Sequence, residues 1–183
     1  MHRWSILFAT GLALMAGCGA QSEAHQSVLA GDGARFLLAE EPAGAVGILE
    51  HREAIGAPAT DVDVAPEEPM PAADVVLWGR IGGKKHTWSE RSAEFVITDP
   101  TFALQAGDHA CTDDNCPFCK DKHDAASAEA IVSLIDDQGQ VPAVDARRLL
   151  PLEEGQMVVI RGQAEVNSLG LLTVRATGLY LRK

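Results

Sequence analysis

From Asp74 onward the chain alternates apolar and polar residues in short runs, each closed by a turn-forming residue. A period of two turns one face of a segment to a core and the other to water, and it suits a strand rather than a helix. Residues 75–81 read as a strand ending at Gly82 and Gly83. A basic-aromatic loop, 84–92, leads to a second strand, 94–98, stopped by Asp99 and Pro100. An alanine-rich stretch, 124–130, has the composition of two helical turns, and a third strand follows at 131–135. Asp136-Asp137-Gln138-Gly139 then reads as a hairpin turn with a return strand at 140–145. One helical turn at 146–150, stopped by Pro151, precedes a strand at 156–166, a turn at 167–170 and final strand pieces at 171–176 and 179–181. Short strands with one small helix before the last hairpin predict a mainly β fold, a small antiparallel barrel.

The phrases at 75–79, 95–99, Asp145, 158–162 and 172–174 resemble the strand phrases of OB-fold domains, including those carried by bacterial lipoproteins and secreted proteins. The resemblance spans residues 74–183 and implies an OB-like barrel with a cysteine- and histidine-rich loop inserted between its second and third strands. OB barrels often bind single-stranded nucleic acid by stacking bases on aromatics in a basic groove, a role open to Trp78, Trp88, Lys84, Lys85 and Arg91. The simpler reading makes Trp78 a core residue and packs Trp88 on the barrel mouth. The formal net charge is −11, and residues 74–183 are themselves net acidic, so no nucleic-acid partner is expected.

The N-terminus has the layout of a targeting signal. A short positive start, Met1-His2-Arg3, precedes an apolar run at 4–15, and Ala16-Gly17-Cys18 closes it. That run falls short of the roughly 20 residues a membrane-spanning helix needs. These residues resemble a bacterial lipoprotein signal peptide, with Met15 where that family usually has leucine. The resemblance implies a signal peptide at 1–17, lipidation of Cys18, anchorage to a membrane and residence in the cell envelope, facing the periplasm or in the outer membrane. An ordinary cleaved signal peptide with a free Cys18 is the alternative.

Residues 18–73 read as a lipidated acidic, proline-rich tether, in which 19–73 hold ten acidic against two basic residues. Inside it, 35–55 carry a short apolar run and then Glu40-Glu41-Pro42, a pattern that starts a helix at 43–55, although Gly44 and Gly47 weaken it. This island either docks on the barrel as a short strand and helix or serves as a spacer.

Setting Cys18 aside leaves Cys111, Cys116 and Cys119, an odd number in a compartment that favours disulfides. They lie in the polar loop 109–123 with His109 and His123, in the spacing C-x4-C-x2-C-x3-H. Three thiols and an imidazole make a closed tetrahedral zinc site, which can fold a loop that has no core of its own. If the chain turns helical after Cys119, His123 falls on the same face. Copper prefers the same ligands. A disulfide, Cys116 to Cys119 or Cys111 to Cys119, is the alternative to an ion. Iron–sulfur ligation lacks a fourth cysteine beyond Cys119, and Lys120 stands where a covalent haem site needs histidine. Cys116-Pro117-Phe118-Cys119 also resembles the glutaredoxin motif, which implies a thiol–disulfide role. That fold puts a strand before the motif and a long helix after it, neither of which is read here, and Asp113, Asp114 and Asp121 oppose a thiolate unless a cation is present.

The chain has no phosphate-binding glycine loop, no nucleophile elbow and no His-Glu-x-x-His. His25, His51 and His86 read as solvent-facing. The sequence therefore points to a binding or structural module rather than an enzyme, with no protein partner it can name.

Overall fold

The structure is a computed structural model that describes residues 33–57, 70–83, 86–102 and 127–182. Its strands are β1 (Met70–Ile81), β2 (Glu94–Thr98), β3 (Glu129–Leu134), β4 (Met157–Val166) and β5 (Leu172–Leu181), with helices α1 (Ile48–Ala54) and α2 (Ala146–Leu149). The strands close into a barrel in the order β1-β2-β3-β5-β4. All seams are antiparallel except β3 with β5, which is parallel. This is the OB-like barrel that the strand phrases imply.

The period of two is what fills it. Leu77, Ile81, Phe95, Ile97, Val132, Leu134, Val158, Ile160, Leu172 and Val174 alternate along their strands and are all almost wholly buried in one core. Burying each such side chain contributes about 1.5–3 kcal/mol. Gly162 lets two backbones approach, because an added Cβ there would lie 2.2 Å from the Arg175 carbonyl oxygen. At the same place the β4–β5 register slips between Arg161 and Gly162. Thr177 is thereby left as an extra residue, so the inward set in β5 shifts phase from Ala176 to Leu179. Such a bulge bends a strand around a barrel. The two pieces read at 171–176 and 179–181 are therefore one strand.

Three further readings of secondary structure are corrected. The turn at 136–139 forms, with Gly139 N–H on the Asp136 carbonyl (2.8 Å), but 140–145 is not a strand. β3 already gives one edge to β2 and the other to β5, so a return strand has nothing to pair with. Pro142 moreover has no N–H to donate; its carbonyl accepts from Ala93 (2.9 Å). Second, Glu129 and Ala130 of the alanine-rich stretch belong to β3, because Ala130 points into the core opposite Ile97 and burial outweighs helix propensity. Third, the helix expected at 43–55 is only Ile48–Ala54. Gly44 has φ 77° and Val46 is committed to a bridge with β1, so the chain is extended where the helix should have begun. α2 forms as read, with Asp145 accepting from Arg147 N–H (2.8 Å), and the extended Leu150 before Pro151 ends it.

Residues 33–57 form a strap against the barrel. The short β2 pairs with β1 only near Arg80 and Ile81, and β3 pairs with β5 only as far as Ala176, so two strand edges are left uncovered. The strap supplies both missing partners. Leu38 N–H donates to the Leu179 carbonyl (2.8 Å), Val46 N–H to the Val76 carbonyl (3.0 Å), and Trp78 N–H to the Val46 carbonyl (3.0 Å). Between these bridges it crosses the outside of β5, β4 and β1. Leu38 packs on Gly178, and Glu41 pairs with Arg182 (2.5 Å), whose guanidinium stacks 5.0 Å from the Trp78 ring centroid. Val159 is in register with Trp78 and Tyr180 on this outer face, yet it is fully buried. Phe36 and Ile48 anchor the two ends of the crossing in the core.

Trp78 is thus a half-buried residue of the outer face rather than of the core. If the strap contributes as its burial implies, Phe36→Ala and Ile48→Ala each lower the unfolding free energy in urea by about 2–5 kcal/mol. Losses below about 0.5 kcal/mol in both would show that the strap does not hold the barrel together.

Candidate functional site

The residues nominated from sequence, His109, Cys111, Cys116, Cys119 and His123, lie outside the described residues, as does Cys18. The structure describes the root of their loop. β2 and β3 are paired through Thr98 and Glu129, and one step further Asp99 N–H donates to the Ala128 carbonyl (2.7 Å). The connection at 99–128 therefore leaves the barrel and returns to it at adjacent points.

Asp99 does more than end a strand. It is 2% exposed, and its two carboxylate oxygens serve different elements. Oδ1 accepts from Thr101 N–H (2.9 Å) and Thr101 Oγ1 (2.5 Å), which caps the helical turn 100–102 that opens the loop. Oδ2 accepts from Leu49 N–H (3.0 Å) in the first turn of α1. The N-cap residue of α1 is Gly47, which makes no side-chain cap of its own. The borrowed carboxylate explains the glycine, because a Cβ on Gly47 would sit 2.8 Å from Asp99 Oδ2. One buried carboxyl group thus satisfies orphan donors of two helical turns. The signal was present in the sequence: aspartate, proline and threonine in a row read as an N-cap with proline at the first helical position.

Beside this root, α1 places Arg52 3% exposed, donating from Nη1 to the Gly170 carbonyl (3.1 Å) in the β4–β5 turn. Burial lowers the pKa of its guanidinium. His51 is half-buried rather than solvent-facing, and burial, then the neighbouring Arg52 charge, lower its pKa from 6.5. His86 is exposed, and His25 lies outside the described residues.

At the other end of the barrel Trp88 packs on the core residue Phe95, with ring centroids 5.9 Å apart. Arg147 stacks on the indole at 5.0 Å while chelated by Asp145 (2.5 Å). The two tryptophans considered for base stacking therefore each carry an arginine of the same chain on one face. Lys84 and Lys85 are outside the described residues, and Arg91 is exposed. The outer face also has an open groove of about 630 Å³ whose polar lining is largely self-paired, with Gln163 donating to Asp74 (3.3 Å) and Thr177 to the Arg161 carbonyl (3.3 Å). Among the described residues no three histidines, cysteines or acids are grouped to hold a metal, and no helix is long and apolar enough to cross a membrane.

Two outcomes follow from this geometry. Asp99→Ala strips the caps from both turns, and it should lower stability by about 1–3 kcal/mol in urea titration, with Gly47→Ala weakening the same contact by collision. The His51 pKa is lowered on folding, so its contribution is intact above 6.5 and is lost as pH falls from there through the folded value. His51→Gln should flatten the stability profile as pH falls below 6.5, and an unchanged slope would show that His51 does not titrate this way.

No protein-family model matches the chain, and a search of curated proteins returns no matching relative.

Proposed function

We propose that this protein is a lipid-anchored extracytoplasmic binding module whose β2–β3 connection holds one zinc ion. Cys18 carries the lipid. Cys111, Cys116 and Cys119, with either His109 or His123, are the ligands. The observation that carries this reading is the ligand spacing in 109–123, where three thiols and two imidazoles fall within one short polar stretch. Two further features support it. The connection is closed at its root by the Thr98–Glu129 pair, so the ion need not also supply the entropy of bringing the two stems together. Asp113, Asp114 and Asp121 would raise thiol pKa values in a metal-free loop but complement the charge of a bound cation.

The ion's contribution would be structural, since four protein ligands leave no open position for catalysis. The stacking faces of Trp78 and Trp88 being shared with arginines also favours a role other than nucleic-acid binding.

Elemental analysis of untagged protein refolded without chelator tests the reading. One zinc per chain is expected, lost when Cys111, Cys116 and Cys119 are all changed to Ser. Metal-free protein with a disulfide by thiol titration would overturn it, and uptake of cuprous ion by all three thiols instead of zinc would point to copper handling. Reduction of a dithiol substrate by Cys116 and Cys119 would point to thiol–disulfide exchange. Cys18→Ser should move the protein from the membrane to the soluble fraction of a bacterial envelope.

A further inference from the structure

The groove of about 630 Å³ on the outer face is shaped by the β5 bulge. β3 stops pairing with β5 at Leu134, Ile135 N–H makes one more bond to the Ala176 carbonyl (3.0 Å), and the strap takes up the same edge only at Leu179. The β5 backbone at Thr177 is therefore uncovered between them, with half-buried Ile135 at the lip of the groove. Half-buried Val76 and the chain at Gly162 form the floor. Of the polar groups around it, Gln163 is tied to Asp74 and the Thr177 hydroxyl to the Arg161 carbonyl. The Arg161 guanidinium differs from them, being exposed and making no hydrogen bond or ion pair among the described residues.

The strap shows how this face receives a guanidinium's partner. Arg182 lies over Trp78, one side-chain row from Val76, and is chelated by the Glu41 carboxylate. Leu38 of the same segment fills the space over Gly178, which is in register with Arg161. A carboxylate and an apolar side chain of one extended segment are thus held by an arginine and a bare patch of β5. Arg161 and the uncovered chain at Thr177 repeat that combination in the next row.

We infer that the groove is a binding site for a monocarboxylate carrying a short branched apolar body. The carboxylate takes the Arg161 guanidinium in a bidentate pair, and the body lies over Val76 towards Ile135. Ile135 is on the far side of β5 from β4, two strand spacings or roughly 10 Å from the Arg161 backbone. The arginine side chain covers part of that span, and a body the size of a leucine side chain fills the rest. Asp74, at the β1 end, repels a second anionic group and so selects against dicarboxylates. No residue of the connection at 99–128 takes part.

This chemistry is offered by a free branched short-chain acid and by the C-terminal residue of a peptide. Isocaproate and N-acetyl-leucine stand for the two, titrated into the full chain while the amide resonances of Val76, Gly162 and Thr177 are followed. At least one should shift them saturably, with a midpoint of about 1–10 mM for a ligand of this size, and the tighter of the two names the source. Arg161→Gln should weaken that binding about tenfold by removing a charge-assisted pair, and isocaproamide, which has no charge, should bind as weakly to the wild type. Arg161 holds no other part of the chain, so the variant should keep the wild-type amide spectrum away from the groove. No saturable shift with either acid below about 50 mM, equal binding by Arg161→Gln, or equal binding of isocaproamide overturns the site.

Discussion

A closed barrel must leave no backbone donor or acceptor of its strands buried without a partner, and in this chain the five strands cannot meet that requirement alone. β2 has five residues and covers only the far end of the much longer β1, while β3 pairs only with the first half of β5. The parallel β3–β5 seam closes the cylinder, and each uncovered edge is met at one point by residues outside it. Val46 bridges β1 at Leu77, and Leu38 donates to β5 at Leu179. The strap thereby ties the outer face together across three strands, with a buried anchor at each end, so that it belongs to the folded unit as much as the strands do.

The same economy governs the root of the loop. α1 begins at a glycine that cannot cap it, and β2 ends at an aspartate whose side chain can. Local sequence rules, which look for a cap within a few residues, find Asp99 for the turn it precedes and miss that it serves a helix fifty positions earlier. A long-range contact of this kind is specified by packing rather than by adjacency. It is the reason a position that reads as punctuation between strand and loop is instead a junction.

Much of the barrel was legible because burial imposes a strict period. β2 was read with its true ends and β3 and β4 within two residues, but β1 begins at Met70, five residues before the strand that was read and inside the stretch taken as tether. The errors fall where a residue's partner lies far away in the chain. Residues 140–145 have the composition of a return strand, but whether a strand forms depended on the edges of β3, and sequence alone does not say that β5 takes one of them. Trp78 was assigned to the core as an aromatic residue on a strand, yet its parity with Leu77 puts it outside; reading the register strictly would have placed it there. The candidate metal ligands are legible only as spacing, because ligand geometry in a polar loop is set by the ion and carries no hydrophobic period. Asp99 and Arg52 were missed for the opposite reason, since burial of a charged residue is visible only once its distant partners are in place.

The docking of the strap also changes a length. Read as a tether, residues 19–73 would let the barrel range widely from its anchor, but the chain rejoins the barrel at Gly33 and is held there by a glycine packed on the Leu149 carbonyl. In the proposed arrangement only 19–32 separate the lipidated Cys18 from the folded unit, a contour of at most about 50 Å. The acidic, proline-rich residues 58–69 are then not part of the leash at all, for both of their ends are attached to the barrel. A lipid on Cys18 would then hold the barrel within that distance of the anchoring surface.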